Sequence, residues 1–316
     1  MNQTHLVTGA AGFIGSHLVD RLLSLGYRVI GIDNLSLGQK KNLTQALAHP
    51  HFIFHEQDLN QLENCLRLIE KEKIDTLWHL AANSDIQAGV KNPDIDLHAT
   101  FLTTYNALKL AKHLQIPHFA FSSTSAIYGE LPGNIAENAG PLFPISSYGA
   151  MKLASEAVIS VALESYLQKT WIFRFPNVVG PRATHGVIFD FIKKLKKTPT
   201  QLEVLGDGNQ TKPYLYVTDL VNAMIFIHQN AQKDLNYFNI APQGSETSVR
   251  HIAQTLLQHI HSTAAITFTG GSKGWTGDVA NFRYDVTKLS ELGWIAQLTS
   301  DQAIQRAIQD IWNENS

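Results

Sequence analysis

Short apolar runs alternate with longer amphipathic segments through the first half of the chain. The apolar runs lie at residues 5–7, 27–32, 52–54, 76–80, 118–122 and 171–175, and the amphipathic segments at 13–25, 62–69, 97–114 and 148–167. The runs have the length and composition of buried strands, and the segments repeat their apolar residues at helical spacing. Strands and helices that alternate in this way predict an α/β fold with a parallel, doubly wound sheet.

The pattern becomes less regular after Pro176, where glycine-containing turns divide the chain into short elements. We therefore expect a first domain at residues 1–175 and a smaller, mainly substrate-binding C-terminal lobe at 176–316. The apolar runs at 214–217 and 237–240 are expected to return to the main sheet or its edge.

Three glycines spaced three apart, Gly9, Gly12 and Gly15, connect the first predicted strand to the first predicted helix. This spacing permits a tight turn and a close backbone approach to a pyrophosphate, which the free N–H groups of the helix then face. Asp33 ends the second apolar run at about the twenty-residue offset where a carboxylate binds the adenosine ribose. This acid would repel a 2'-phosphate, and no arginine follows it directly. The first domain is therefore predicted to be a Rossmann domain that binds NAD rather than NADP.

Tyr148 and Lys152 lie at the start of the fourth predicted helix. A separation of four residues places both side chains on one face of a helix. Tyrosine has an ordinary pKa of about 10, so it acts as a base at pH 7 only if its pKa is lowered by roughly three units. The lysine ammonium and a positively charged nicotinamide have the sign of charge that lowers it. The pair therefore indicates proton transfer next to bound NAD.

Composition limits the other classes of function. The 316 residues carry a net charge of -2 and no long basic run, so neither nucleic acid nor an anionic membrane is an expected partner. No apolar run has the length of a transmembrane helix, and the first strand begins too early to leave room for a signal peptide. The single cysteine, Cys65, indicates a reducing compartment, and we expect a cytoplasmic protein. The 14 histidines lack carboxylates or cysteines at ligand spacing, so no metal site is expected.

An ordered set of motifs runs through nearly the whole chain. In sequence order they are GAAGFIG from Gly9, Asp33-Asn34, Asp58-Leu59, HLAA from His79, SSTSAIYG from Ser122, YGAMK from Tyr148, RFPNVVGPR from Arg174, Gly277-Asp278-Val279 and Leu292-Gly293-Trp294. Together they resemble the extended short-chain dehydrogenase/reductase superfamily. More narrowly, they resemble its NAD-dependent nucleotide-sugar epimerases of the UDP-glucose 4-epimerase type.

The resemblance implies roles for the residues that match it. Tyr148 is implied to be the catalytic base, Lys152 to support it, and Thr124 to hydrogen bond with the sugar near O4. The residues implied to bind NAD are Gly9, Gly12, Phe13, Ile14, Gly15, Asp33, Asn34, Asp58, Leu59, Leu80, Ala81, Ala82, Ser122, Tyr148, Lys152 and Phe175. Those implied to bind the nucleotide-sugar substrate are Ser84, Thr124, Asn177, Arg182, His185, Lys212, Tyr214, Trp275 and Asp278. For Asn177, His185 and Trp275 a purely structural role stays open.

The two residues after Thr124 distinguish the reactions of the superfamily. Relatives that remove water across C5 and C6 place an Asp-Glu pair there, and decarboxylases place an acid at the second position, whereas this chain has Ser125-Ala126. Neither residue can transfer a proton in that role. The resemblance therefore implies C4 epimerisation of UDP-glucose and UDP-galactose, or of an N-acetylated equivalent, through a transient 4-keto sugar. A C4 dehydrogenase or reductase that releases its product stays open, while a 4,6-dehydratase is less favoured and a non-catalytic NAD-binding sensor least.

Two departures fall where the relatives bind the substrate diphosphate. Lys212 stands in place of the usual arginine, and Trp275 in place of an arginine three residues before Asp278. Lysine keeps the charge but loses the bidentate fork of arginine, so the UDP assignment stays open. By the same resemblance, the protein is expected to form a homodimer through the helices at 102–114 and 150–163.

Overall fold

Strands and helices alternate along the chain, as its apolar pattern predicts. The computed structural model describes residues 3–244, 246–274, 279 and 281–315. The strands are β1 Thr4–Thr8, β2 Arg28–Asp33, β3 Phe52–Glu56, β4 Thr76–His79, β5 His118–Ser122, β6 Asn134–Ile135, β7 Lys169–Arg174, β8 Asn177–Val179, β9 Gln201–Val204, β10 Thr211–Lys212, β11 Tyr214–Tyr216, β12 Leu235–Asn239, β13 Thr247–Ser248, β14 Ala265–Phe268 and β15 Arg283–Tyr284. The helices are α1 Phe13–Ser24, α2 Thr44–Leu47, α3 Leu62–Ile69, α4 Ile86–Lys91, α5 Pro93–Asp96, α6 Thr103–His113, α7 Ser147–Ser165, α8 Val187–Lys197, α9 Val217–Asn230, α10 Val249–His259, α11 Thr287–Leu292 and α12 Ser300–Asn315. None of these described helices combines the length and the apolar character that crossing a bilayer requires.

A seven-stranded sheet forms the centre of the first domain, with the strand order β3-β2-β1-β4-β5-β7-β12 and every pairing parallel. Every residue of β1 and β4 is buried, as expected for strands that are covered on both faces. The predicted doubly wound α/β fold is confirmed. The order of the strands reverses between β1 and β4, and at such a point an open parallel sheet leaves a ligand crevice at its carboxyl edge.

Helices cover both faces of this sheet. On one face, α1 and α9 pack Leu18 and Met224 into a common apolar cluster with the strands. On the other, α3, α6 and α7 contribute Leu66, Leu110 and Ile159. Burial of each such side chain contributes roughly 1.5–3 kcal/mol, so the two layers fix the helices whose first turns border the crevice.

A smaller lobe is built from the second half of the chain. Its apolar cluster joins α8, α10 and α12 with β8, β9 and β11, and includes Leu202, Leu256 and Ile304. Phe13, in the first turn of α1, packs against the same cluster. The lobe therefore contacts the first domain at the glycine turn.

Part of the second half returns to the main sheet. The run at 237–240 does so as predicted, because β12 pairs with β7 at the edge of the sheet. The prediction for the run at 214–217 is wrong, since its strand, β11, pairs with β8 in a separate two-stranded sheet. The chain leaves the main sheet at Pro176, which cannot donate a ladder hydrogen bond, and β12 takes the edge beside β7.

The predicted helix at 97–114 is divided. Residues Leu97–Leu102 form a π-helical segment, and α6 begins only at Thr103. Helices α4 and α5, of six and four residues, precede this segment. Helices this short carry too few turns for their apolar periodicity to be recognised in the sequence.

Candidate active site

The turn after β1 leaves no room for a side chain at Gly9 or at Gly15. Gly9 has a left-handed backbone with φ at 70°. A Cβ atom on Gly9 would lie 2.7 Å from the backbone nitrogen of Ala81, and one on Gly15 would overlap the carbonyl oxygen of Gly9. Helix α1 begins directly after this turn, with Gly12 as its N-cap. These residues fit the pyrophosphate of NAD, because they form a backbone cradle at the N-terminus of a helix that only glycine permits.

Asp33 ends β2 beside this cradle. Its carboxylate accepts hydrogen bonds from the N–H groups of Ala11, at 2.9 Å, and Leu35, at 2.7 Å. Burial raises the pKa of Asp33, and the backbone hydrogen bonds oppose that rise. The next residue, Asn34, donates a hydrogen bond to the carboxylate of Asp58 at 3.2 Å. The polar side chains predicted to bind the adenosine thus lie together at one end of the crevice.

The remaining residues predicted to bind NAD lie at the carboxyl ends of β4 and β5 or near the glycine turn. Leu80 continues β4, and its N–H donates to the carbonyl oxygen of Thr8 over 3.1 Å. Ser122 ends β5, and its hydroxyl donates to the carbonyl oxygen of His79 over 3.2 Å. Within this set the structure buries Leu59, Ser122 and Phe175 and leaves Phe13, Ile14, Leu80, Ala81 and Ala82 partly buried.

Thr124 and Tyr148 meet beyond the end of β5. Thr124 is buried, and its Oγ1 accepts a hydrogen bond from the N–H of Ala126 at 3.1 Å, which caps a short 3-10 segment, Ser125–Tyr128. The start of α7 packs so closely on this segment that a Cβ atom on Gly149 would lie 2.5 Å from the carbonyl oxygen of Ala126. This approach places the phenol of Tyr148 beside the side chain of Thr124, which lowers the pKa of the phenol.

Lys152 lies one turn further along α7 and is 1% exposed. Its Nζ donates to the carbonyl oxygen of Ser122 over 2.6 Å and lies 4.6 Å from the ring centre of Phe121. The ring centre of Tyr148 is 5.8 Å from the same nitrogen. The structure therefore brings the three predicted catalytic residues together, and Ser122 fixes the lysine.

The pKa values of Tyr148 and Lys152 differ from those expected from the sequence. Burial lowers the pKa of Lys152 to about 7, although Glu156 and Asp96 oppose this. Burial, with the repulsion of Asp96, raises the pKa of Tyr148, which the side chain of Thr124 only partly offsets. The expected lowering of the Tyr148 pKa by Lys152 is therefore wrong for the protein alone. Desolvation of the phenol dominates, and the burial that lowers the pKa of Lys152 weakens the attraction that this lysine was expected to supply.

A buried polar chain behind the crevice was not predicted. Nδ1 of His79 lies 2.8 Å from the hydroxyl of Thr8, and its Nε2 lies 3.0 Å from that of Thr104. The Thr104 hydroxyl in turn accepts a hydrogen bond from Ser155 of α7 at 3.2 Å. The only sequence signal for this chain is a histidine within an apolar strand. The described residues contain no group of three or more His, Cys, Asp or Glu side chains that could hold a metal ion.

A second unpredicted feature is an ion pair under α7. Glu156 accepts hydrogen bonds from two nitrogens of Arg174, at 2.6 and 3.0 Å, and one from the hydroxyl of Ser123 at 2.5 Å. Arg174 also donates to the hydroxyl of Tyr128 at 2.9 Å. The sequence offers two signals for this ion pair. One is a glutamate one turn after Lys152, and the other is an arginine at the end of an apolar strand.

Residues predicted to bind the substrate come from both lobes. The ring of His185, in the smaller lobe, lies beside the backbone of Ser84, which follows β4, so this contact joins the two lobes. Asn177, at the start of β8, is exposed. Nη2 of Arg182 pairs with Asp20 of α1 at 2.8 Å, and its Nη1 is buried without a hydrogen-bond partner among the described residues.

The other predicted substrate residues are less accessible or lie outside the described ranges. Tyr214 is 3% exposed and packs in the apolar cluster of the smaller lobe, because all of β11 is buried. The role of Tyr214 in substrate binding stays a prediction. Lys212 is buried on β10, opposite Thr247 of β13. Trp275 and Asp278 lie outside the described residues.

Comparison with known proteins agrees with this geometry. The model of the NAD dependent epimerase/dehydratase family matches residues 5–241. The chain is 30% identical to a putative UDP-glucose 4-epimerase of Methanocaldococcus jannaschii, over 98% of this chain and 99% of that protein. It is 31% identical to the UDP-glucose 4-epimerase of Mycolicibacterium smegmatis, again over 98% and 99%. The crystal structure of a UDP-glucose 4-epimerase of Thermotoga maritima with UDP-glucose has a TM-score of 0.88 at 29% identity, covering 99% of this chain and 100% of that one.

These matches extend over nearly the whole chain and confirm the resemblance drawn from the motifs. The family model covers the glycine cradle, the end of β5 and the start of α7, which hold the three predicted catalytic residues. The chain belongs to the NAD-dependent epimerase/dehydratase family.

Proposed function

We propose that this protein is an NAD-dependent 4-epimerase that interconverts UDP-glucose and UDP-galactose or their N-acetylated equivalents. The observation that carries the proposal is the placement of the Tyr148 phenol beside the side chain of Thr124, with Lys152 held one turn away on the same helix. This arrangement lies at the carboxyl edge of the sheet, near the glycine cradle. UDP-glucose is the ligand named for the Thermotoga maritima structure.

The side chains divide the proton transfer between them. NAD, held by the glycine cradle and Asp33, would supply the acceptor for the hydride of C4 and the donor for its return. Tyr148 takes the proton of the O4 hydroxyl, and Thr124 holds O4 through its own hydroxyl. The sugar becomes a 4-keto intermediate, and after it turns over, Tyr148 returns the proton to O4. Lys152, which the carbonyl oxygen of Ser122 holds on the same helix, is proposed to orient Tyr148.

The 3-10 segment argues against dehydration and decarboxylation. Its first residues, Ser125 and Ala126, follow Thr124, where the resemblance places acids in enzymes with those activities. Ala126 donates its N–H to the Oγ1 of Thr124, and its side chain has no group that could exchange a proton. The site therefore supports oxidation and reduction at a single carbon.

We assign NAD binding to residues 1–175 together with the returning β12, and substrate binding mainly to residues 176–316. Ser84 and His185, which contact each other, are proposed to border the sugar. Asn177, which is exposed, is proposed to contact the nucleotide part, and Arg182 stays a proposal from the resemblance. Lys212, Trp275 and Asp278 stay proposals from the resemblance.

The protein is further proposed to be a cytoplasmic homodimer that associates through α6 and α7. Tyr105 of α6 is 49% exposed and Val161 of α7 is 66% exposed. Exposed apolar side chains on adjacent helices are typical of an association surface. The proposed compartment rests on Cys65, a buried free thiol.

Incubation with UDP-, GDP-, ADP-, CDP- and dTDP-sugars, without added cofactor, tests the proposal by proton NMR. The expected result is the C4 epimer of a UDP-sugar, and the Tyr148→Phe variant provides the control. Stoichiometric NADH with a released keto sugar would instead indicate a dehydrogenase. Loss of water would indicate a dehydratase and contradict the argument from Ser125 and Ala126.

A further inference from the structure

Asn42, in the segment that joins β2 to β3, is a buried amide outside the residues predicted to bind NAD. It is 5% exposed, and its Nδ2 donates to the carbonyl oxygen of Ala11 over 2.9 Å. Ala11 is fully buried in the glycine turn that precedes α1. A buried hydrogen bond of this kind orders both of the segments that it joins, because either group would be costly to leave without a partner. Asn42 therefore holds the segment after β2 against the glycine turn.

Ala11 connects this segment to the carboxylate of Asp33. The carbonyl oxygen of Ala11 accepts a second hydrogen bond, from the N–H of Gln39 at 3.0 Å, and the N–H of Asn42 donates to the carbonyl oxygen of Gln39 over 2.9 Å. The N–H of Ala11 itself donates to Oδ2 of Asp33 over 2.9 Å. The segment thus fixes Ala11, and Ala11 fixes one oxygen of the carboxylate.

The same segment packs directly on the carboxylate at Gly38. A Cβ atom on Gly38 would lie 2.9 Å from both carboxylate oxygens of Asp33 and 2.9 Å from the carbonyl carbon of Ala11. A methyl group fits at these distances only if the backbone or the carboxylate shifts. The φ of Gly38 is outside the left-handed region, so the close approach, rather than the backbone conformation, requires glycine here.

The other oxygen of Asp33 is held by the start of the segment. Oδ1 accepts a hydrogen bond from the N–H of Leu35 at 2.7 Å. Leu35 has a left-handed backbone with φ at 59°, which a leucine keeps only where its surroundings hold it. Both carboxylate oxygens are therefore held by backbone donors, and an ionised carboxylate has acceptor sites for more than two hydrogen bonds.

A carboxylate that is fixed in this way is suited to bind a pair of hydroxyl groups. It loses little side-chain freedom when the ligand binds, which reduces the entropic cost of binding. The adenosine ribose of NAD presents two hydroxyl donors, whereas NADP carries a phosphate in place of one of them, which the carboxylate repels. The position of Asp33 therefore affects both the affinity for NAD and the discrimination against NADP.

We propose that Asn42 and Gly38 are positioning residues for NAD, which hold the carboxylate of Asp33 where the adenosine ribose binds. Asn42 acts through its hydrogen bond to Ala11, and Gly38 acts through its close approach to the carboxylate. Because the proposal concerns binding of the cofactor, it depends neither on the sugar substrate nor on the reaction that is catalysed.

Isothermal titration of the full chain with NAD and with NADP tests the proposal. Asn42→Ala removes the hydrogen bond to Ala11, so the Kd for NAD is expected to rise by about tenfold or more. A displaced carboxylate also repels the 2'-phosphate less, so the Kd for NADP should rise less than that for NAD, and the ratio of the two should fall.

Asn236→Ala is the matched control. Asn236 is 4% exposed, and its Nδ2 also donates to backbone carbonyl oxygens, those of Thr170 at 3.1 Å and Lys233 at 2.6 Å. It lies near the amino-terminal end of β12, whereas the crevice is at the carboxyl edge of the sheet. This variant should lose stability but keep both dissociation constants.

Gly38→Ala covers the case in which Asn42→Ala does not fold, because it adds only a methyl group at a partly buried position. It should raise the Kd for NAD and lower the ratio in the same way. An unchanged Kd for NAD in either folded variant, an equal rise for NAD and NADP, or a loss that Asn236→Ala reproduces overturns the proposal. The titration needs no sugar, so a failed epimerase assay would not be mistaken for a failure of this proposal.

Discussion

Arg174 and Glu156 form a buried, doubly hydrogen-bonded ion pair between β7 and α7, with side chains that are 9% and 7% exposed. Ser123, which directly precedes Thr124, donates a third hydrogen bond to the same carboxylate. The pair therefore connects the helix that carries Tyr148 and Lys152 to the strand end that carries Thr124. The relative position of the three residues depends on it.

Glu156→Gln should destabilise the protein strongly. The substitution leaves the guanidinium of Arg174 buried without a countercharge, which costs roughly 3–5 kcal/mol. Urea unfolding followed by circular dichroism measures the change in the free energy of unfolding.

A second two-bond pair, Arg28 with Glu72, provides the control because its side chains are 31% and 28% exposed. Water can solvate Arg28 when its partner is removed, so Glu72→Gln should cost about 1 kcal/mol or less. Equal losses in the two variants would contradict the role of burial.

Tyr148→Phe should abolish most of the epimerase activity without unfolding the protein. The phenol is the proposed proton acceptor, and loss of a positioned acid–base group lowers the rate by about 10²- to 10⁴-fold. Proton NMR of the sugar product gives kcat. Tyr105→Phe removes a hydroxyl from the surface of α6 and should leave kcat unchanged. A fully active Tyr148→Phe enzyme would refute the assigned base and favour a non-catalytic NAD-binding protein.

Gly15→Ala should weaken NAD binding, because the added methyl group would overlap the carbonyl oxygen of Gly9 and open the cradle. Isothermal titration with NAD measures the dissociation constant. Gly26→Ala introduces strain at another left-handed glycine, with φ at 81° and open space around it. It should reduce stability but not the affinity for NAD. Equal effects of the two substitutions on affinity would show that the loss at Gly15 is a general effect of destabilisation.

Sequence analysis predicts those parts of the site that depend on local backbone geometry. The glycine turn can be predicted because the left-handed φ of Gly9 and the close approach of Gly15 to the carbonyl oxygen of Gly9 both require glycine. The proximity of Tyr148 and Lys152 can be predicted because side chains four residues apart lie on the same face of a helix. Local rules of this kind also predict the parallel sheet from its apolar runs.

The parts that sequence reasoning missed depend on contacts between elements. Asn42 and Ala11 meet because the segment after β2 folds back on the glycine turn, and the sequence does not state that path. Glu156 and Arg174 lie on a helix and a strand whose mutual register the sequence does not state. The direction of the Tyr214 side chain is also not predictable from the sequence, because all of β11 is buried and no alternation of polar and apolar residues indicates it.

Stability should fall as the pH is lowered below the ordinary pKa of histidine. His5 and His228 lie next to each other and to Trp78 at the amino-terminal end of the sheet. Burial lowers the pKa of His5 to about 4 and that of His228 to about 3. The unfolded chain then binds more protons than the folded protein between pH 6.5 and pH 4, so acid favours unfolding. For His5 alone, the loss approaches about 3 kcal/mol at pH 4.

Urea unfolding at a series of pH values from 7.5 down to 5 measures this slope. His228→Leu removes one of the two groups and fills the same apolar space, so its slope should be smaller than that of the wild type. His113→Leu, on the exposed surface of α6, should retain the wild-type slope. A slope that is unchanged in His228→Leu would rule out the buried histidines as its origin.

Val161→Lys should convert the proposed homodimer into a monomer. Val161 is 66% exposed on α7, and in a dimer formed through α6 and α7 a lysine there would bury an unpaired charge. Sedimentation at micromolar concentration should therefore give the dimer mass for the wild type and the 35.1 kDa of a single chain for the variant. Leu68→Lys places the same charge on α3, at a residue that is 44% exposed, and should sediment as the wild type does. A wild-type protein of monomer mass would exclude the dimer, and a dimer that survives Val161→Lys would place the interface on another surface.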